Sequence, residues 1–148
     1  MFKINLVVVG TLKESYWTAA IAEYAKRLTR YAEVALIEVA EDNGERGVES
    51  EGEAVLKRCK GKLFVMDSKG DDVTSESFAE LIKDCADKGE TISFAIGGSR
   101  GLSDGVKAKA NKLISFGKVT YPHQLMRVIL YEQIYRAMNI INHGSYHK

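Results

Sequence analysis

The sequence predicts an α/β fold, a mostly parallel sheet with helices on both faces. Three observations predict it. Short apolar runs that read as strands alternate with longer stretches of helical periodicity, several of those runs are apolar enough to be buried on both sides, and one ends in a glycine-rich turn directly before a helix. With 148 residues, the chain fits one domain with a substantial core and no separate substrate module.

Lys3–Val9 is β-branched and apolar, hence a first strand, and Glu14–Arg30 carries Tyr16, Ala19, Ala20, Tyr24 and Leu28 at helical spacing. Val34–Val39 is the next strand. The stretch Glu41–Val48 mixes glycines with charges and has no apolar period, so a mobile surface loop is expected there. Glu49–Lys60 reads as a short helix, Leu63–Asp67 as a buried strand, and Ser75–Lys88 as a helix capped by Thr74 or Ser75. Thr91–Ile96 is a further strand. Ser103 caps a helix reaching Ala110, Leu113–Phe116 forms a short strand, and Pro122–Ile141 is the longest helical run.

Composition narrows the function. The 21 Lys and Arg against 20 Asp and Glu leave a net charge of +1, without the basic excess usual in a protein that tracks phosphates. The distribution is less even than the sum. Glu33–Glu53 is acidic with Arg46 as its one basic residue, whereas Arg100–Lys118 carries five basic residues against Asp104; that run is either a phosphate-facing surface or an ordinary solvated helix face. No run approaches the roughly 18 apolar residues of a membrane span, and MFKINLVVVG suits a first strand better than a signal peptide, which leads us to expect a cytoplasmic protein. The two cysteines, Cys59 and Cys85, have no metal-ligand spacing and are read as reduced, with no metal site.

Candidate site residues gather at strand ends, where open α/β sheets bind ligands. Gly97-Gly98-Ser99-Arg100-Gly101 follows a buried strand, but its pattern is neither a dinucleotide fingerprint nor a phosphate loop, so a plain turn and a ligand loop both stand. A second loop, Phe116 to His123, follows another strand and holds the chain's one proline, suited to the first turn of a helix. Met66 and Asp67 end a third strand. The helix after Pro122 is apolar nearly all round and needs two partners; one is the sheet, and the other is most simply a second copy of the chain. Its Glu132 and Arg136 have the spacing of an ion pair, which is favoured over a catalytic role.

LFVMDSKG, FAIGGSRGL, ISFGKVTYPHQLMRVILYEQIYRAMNI and the closing SYHK together resemble the ribosomal RNA large subunit methyltransferase H family, of the SPOUT or α/β-knot class, over essentially the whole chain. The resemblance implies a C-terminal trefoil knot, an exception to the rule against threaded chains. It also implies a homodimer that binds S-adenosyl-L-methionine in the knot and methylates N3 of a pseudouridine in 23S ribosomal RNA, acting on the large subunit or 70S ribosome. Carried onto this chain, the cofactor residues are Met66, Gly97 and Phe116, Gly117, Lys118, Val119, Thr120 and Tyr121. Gly117 and Val119 depart from the serine and methionine expected there, leaving backbone contacts only at Gly117.

The N3 imide must lose a proton, and a base near neutral pH is most naturally a histidine: His123, His143 or His147. His123 beside the cofactor loop is either structural or functional. Tyr146 and His147 lie on a short tail that would reach the partner's pocket, and Arg127 would hold a phosphate or the substrate carbonyl, with Arg100 similarly placed. Three alternatives stand beside this reading. A related enzyme acting on another RNA would share every cofactor residue, an assembly factor without turnover would fail to bind the cofactor, and a flavodoxin-like nucleotide binder is disfavoured by the absent phosphate loop.

Overall fold

In a computed structural model describing residues 1–148, five strands and five helices alternate along the chain. The strands are β1 (Lys3–Val9), β2 (Glu33–Val39), β3 (Lys62–Asp72), β4 (Ile92–Ile96) and β5 (Lys112–Ser115); the helices are α1 (Ser15–Leu28), α2 (Gly47–Arg58), α3 (Ser75–Asp87), α4 (Asp104–Lys109) and α5 (His123–Ile141). All pairings are parallel, in the order β2-β1-β4-β3-β5.

Alternation along the central strands divides the core. Ile4, Leu6 and Val8 of β1, with Ile92, Phe94 and Ile96 of β4, join Ile21 of α1, Phe78 and Ile82 of α3, and Leu130 and Ile134 of α5. Val7, Val9, Val65 and Ala95 point the other way, onto Val55 of α2 and Val106 of α4. Every residue of β4 is buried, and Phe94 lies 5.6 Å from Phe64 and 5.7 Å from Phe78 between ring centres, at tilts that suit aromatic packing. No helix is long and apolar enough to cross a membrane.

Helix starts follow local chemistry. Thr74 and Ser77 form a reciprocal capping box on α3, and the Ser103 hydroxyl accepts from the Val106 N–H at the start of α4. Two segments differ from expectation. The Glu41–Val48 stretch is tethered: Glu51 accepts the Asp42 N–H at 2.8 Å, Arg100 donates to the Asp42 carbonyl at 2.6 Å, and α2 already begins at Gly47. These long-range polar contacts have no apolar period to announce them. Strand β3 runs past Asp67 to Asp72, because Met66 and Asp71 both pair with Ile114 while Asp67–Gly70 loops out of the ladder. Gly70 passes so close to β5 that a Cβ there would lie 2.6 Å from the Leu113 carbonyl carbon.

Helix α5 lies against α1, α3 and β4, burying Leu130, Tyr131, Ile134, Ala137 and Met138 and leaving Leu125, Val128 and Ile129 half-exposed. One buried residue on it is charged. Arg127 is 0% exposed and donates to the carbonyls of Val9 (2.7 Å) and Gly10 (2.9 Å) and to the Glu38 carboxylate (3.3 Å). Burial pulls its guanidinium below the ordinary value, while Glu38 opposes that shift. Both cysteines are free thiols, and burial pushes Cys59 up to about 11.

Arg127 therefore fastens α5 to the ends of β1 and β2. Urea denaturation of Arg127→Ala is expected to show about 3 kcal/mol less stability, since two buried carbonyls lose their donor. An unchanged midpoint would show that the clamp contributes nothing.

Candidate active site

The carboxyl ends of β3, β4 and β5 open into one cavity of about 490 Å³. Three backbone devices shape it. At the end of β4, the Gly101 N–H donates to the Gly98 carbonyl at 3.0 Å, and the chain turns so tightly that a Cβ on Gly97 would lie 2.6 Å from the Gly101 carbonyl carbon. At the end of β3, the Asp67 carboxylate accepts the Lys69 N–H at 3.0 Å and holds the looped-out segment in an Asx turn. After β5, the Ser115 hydroxyl donates to the Gly117 carbonyl at 2.7 Å and accepts the Gly117 N–H at 3.1 Å. Gly117 has φ 112°, a conformation that disfavours any side chain. The glycine that departs from the family pattern thus suits its backbone, whatever it forgoes in hydroxyl contact.

Of the expected cofactor residues, Met66, Gly97, Phe116, Gly117, Val119, Thr120 and Tyr121 line this cavity. Lys118 does not. Its side chain is 83% exposed and lies 3.7 Å from the Asp72 carboxylate. Phe116 is braced edge-on by Phe78 at 5.4 Å, and Ile96, Ile114 and Met126 extend the apolar wall. Asp67 and Lys107 are the formally charged residues of the lining, 3.3 Å apart. The Lys69 amide, followed by Lys107, holds the Asp67 carboxyl below the usual carboxylate range despite partial burial. No group of three or more His, Cys, Asp or Glu side chains is gathered to hold a metal.

His123, the first residue of α5, also lines the cavity. The other expected catalytic residues stand apart from it in the same protomer. Arg127 engages both terminal nitrogens at the β1 and β2 ends and is fully buried, with only its Nε unpartnered, so within this chain it offers no accessible guanidinium to a phosphate or carbonyl. Tyr146 and His147 fold back onto the outer side of α5. The Tyr146 hydroxyl donates to Glu132 at 2.7 Å, its ring meets the Tyr135 ring at 4.7 Å, and the Arg136 guanidinium lies 4.7 Å from its centre. Burial, then Glu132, pushes the Tyr146 phenol well up. Arg136 meets His147 Nδ1 at 3.0 Å and also donates to Glu132 at 2.7 Å. Because a guanidinium can only donate, Nδ1 accepts; the proton then sits on Nε2 and is donated to Glu76 at 2.7 Å.

The tail turns at His143, the one non-glycine residue with positive φ, and Asn139 directs it by accepting the Tyr146 N–H at 2.9 Å. Sequence reasoning missed Asn139 and Ser115. A serine two residues before a glycine at a strand end is a recognisable turn signal, whereas nothing in sequence marks Asn139 among its helical neighbours.

The sequence profile described as "Predicted SPOUT methyltransferase" matches residues 2–147. A protein of Caldicellulosiruptor saccharolyticus named Ribosomal RNA large subunit methyltransferase H is 47% identical over 98% of this chain and 99% of its own length, and one of the same name from Lactobacillus acidophilus is 46% identical over the same shares. Among solved structures, a probable methyltransferase from Bordetella pertussis superposes with a TM-score of 0.59 at 12% identity, covering 93% of this chain and 95% of that one. The SpoU methyltransferase AviRb from Streptomyces viridochromogenes, in complex with the cofactor AdoMet, gives 0.51 at 15% identity over 97% of this chain and 59% of its own. Those two likenesses bear on the fold, while the profile and the close relatives reach the whole chain. On both grounds the chain belongs to the SPOUT methyltransferase family.

Proposed function

We propose that this protein, a single domain over residues 1–148, uses S-adenosyl-L-methionine to methylate N3 of a pseudouridine in 23S ribosomal RNA. It acts as a cytoplasmic homodimer on the large subunit or 70S ribosome. The observation that carries the proposal is the convergence of three strand-end loops on one cavity lined by main chain, apolar carbon and a few polar side chains. Near-full-length relatives named for large-subunit ribosomal RNA supply the substrate class.

The residues present fit the cofactor. Gly97, Gly98 and Gly117 bring main chain to the cavity wall with no side chain to obstruct an adenosine, Met66, Ile96 and Phe116 suit its ring and the methionine carbons, and about 490 Å³ is ordinary for such a ligand. When bound, S-adenosylmethionine supplies an electrophilic methyl group on a sulfonium. The protein's part is to hold donor and acceptor in line, which supplies much of the rate by orientation, and to accept the N3 proton.

His123 stands at the cavity. His147 is the other candidate, and its anchor Arg136 lies 13 residues further along α5, about 20 Å at the helical rise. A protomer's own tail is therefore badly placed for its own cavity, which supports delivery of Tyr146 and His147 from a second copy. The half-exposed Leu125, Val128 and Ile129 offer α5 an apolar surface for that pairing.

Two measurements test the reading. Calorimetric affinity for S-adenosylmethionine is expected to fall at least about tenfold in Gly97→Ala, because the new methyl group displaces the turn; unaltered binding would remove the glycine loop from the site. Purified large subunits lacking the modification should gain one methyl group at a pseudouridine, with Tyr146→Phe and His147→Ala impaired. Mixing inactive Gly97→Val with inactive His147→Ala should restore about a quarter of wild-type sites, since half of random dimers carry one intact composite site. Activity in neither mixture nor wild type would favour an assembly factor without turnover.

A further inference from the structure

We propose that Asp67 and Lys107 form the subsite for the zwitterionic amino-acid end of the methyl donor, the Asp67 carboxylate receiving its ammonium and the Lys107 ammonium its carboxylate. The inference rests on the cofactor reading above and assigns a further part of the same cavity.

The cavity wall is otherwise neutral side chains and backbone, apart from His123 at its edge, so a ligand carrying both charges finds complementary groups at one place only. That place is built from two sides of the sheet. Asp67 sits where β3 leaves its ladder with β5, and the close passage of Gly70 over Leu113 fixes the looped-out segment that presents it. One of its oxygens is held by the Lys69 amide; the other faces Lys107 at 3.3 Å. Lys107 belongs to α4, on the opposite face from α5, and its side chain extends over the end of the sheet into the cavity.

The pair is poised rather than closed. Asp67 is 14% and Lys107 35% exposed, the lysine has two protons to spare, and 3.3 Å is a loose approach for such an ion pair. A zwitterion laid against it meets each charge with its opposite while the local net charge stays zero. Because Lys107 neutralises it, Asp67 does not selectively stabilise the sulfonium of the ground state, which would oppose methyl transfer.

The test uses the full chain and two probes differing only in this end: S-adenosylhomocysteine, which has the amino-acid group, and 5′-methylthioadenosine, which lacks it. In calorimetry, Lys107→Met and Asp67→Asn should each weaken S-adenosylhomocysteine about tenfold or more and change 5′-methylthioadenosine by less than about twofold. Lys107→Arg, which keeps the charge, should recover most of the loss. Equal losses for both probes in folded variants would overturn the subsite, leaving the pair as a support for the turn or a ribose contact. Undiminished S-adenosylhomocysteine binding would overturn it outright. A wild-type protein that binds neither probe would instead overturn the cofactor reading beneath it.

Discussion

Main chain touching main chain at the end of β4 is the constraint on which the site depends. A strand buried at every residue has no room to turn with side chains, and the Gly97–Gly101 turn solves this by folding backbone onto backbone. Once the turn is that tight, its peptide groups line a cavity instead of being covered. The loops after β3 and β5 then need only reach the same edge, and their own short-range bonds, from Asp67 and from Ser115, set their shapes. Scaffold and ligand surface are thus the same atoms.

Helix α5 links this edge to the rest of the molecule. Its first turn borders the cavity, its middle fills the core beneath β4, and its outer side carries the tail. Arg127 fixes it in register against β1 and β2, so a shift of the helix along its axis would move the cavity wall and the tail together. Glu132, Arg136, Tyr146, His147 and Glu76 form one continuous polar chain across α5 and α3. A tail so well partnered in one protomer is an ordered element, not a frayed end.

The layered fold was legible because strands buried on both faces leave unbroken apolar runs, and β1, β4 and α3 follow the sequence pattern to within a residue at each end. The second half of β3 was not, since its pairing is made by backbone while its side chains are polar. The cavity-lining glycines were legible as a pattern without a known ligand, and the resemblance supplied the ligand. Arg127 read as a holder of a phosphate or the substrate carbonyl, because sequence shows a charge but not the carbonyls that engage it 118 and 117 positions away. Lys107 read as one lysine of a basic surface run; its place at the cavity follows from the crossing of α4 over the sheet end, which no local spacing encodes.

The double use of Ile114 as partner to both Met66 and Asp71 has a wider meaning. The ladder resumes where it left off, so Asp67, Ser68 and Lys69 are a module whose chemistry can drift without disturbing strand alignment, while Gly70 is held to glycine by its passage over Leu113. Selection could retune the floor of the cavity there for a different donor while inheriting the rest of the architecture unaltered.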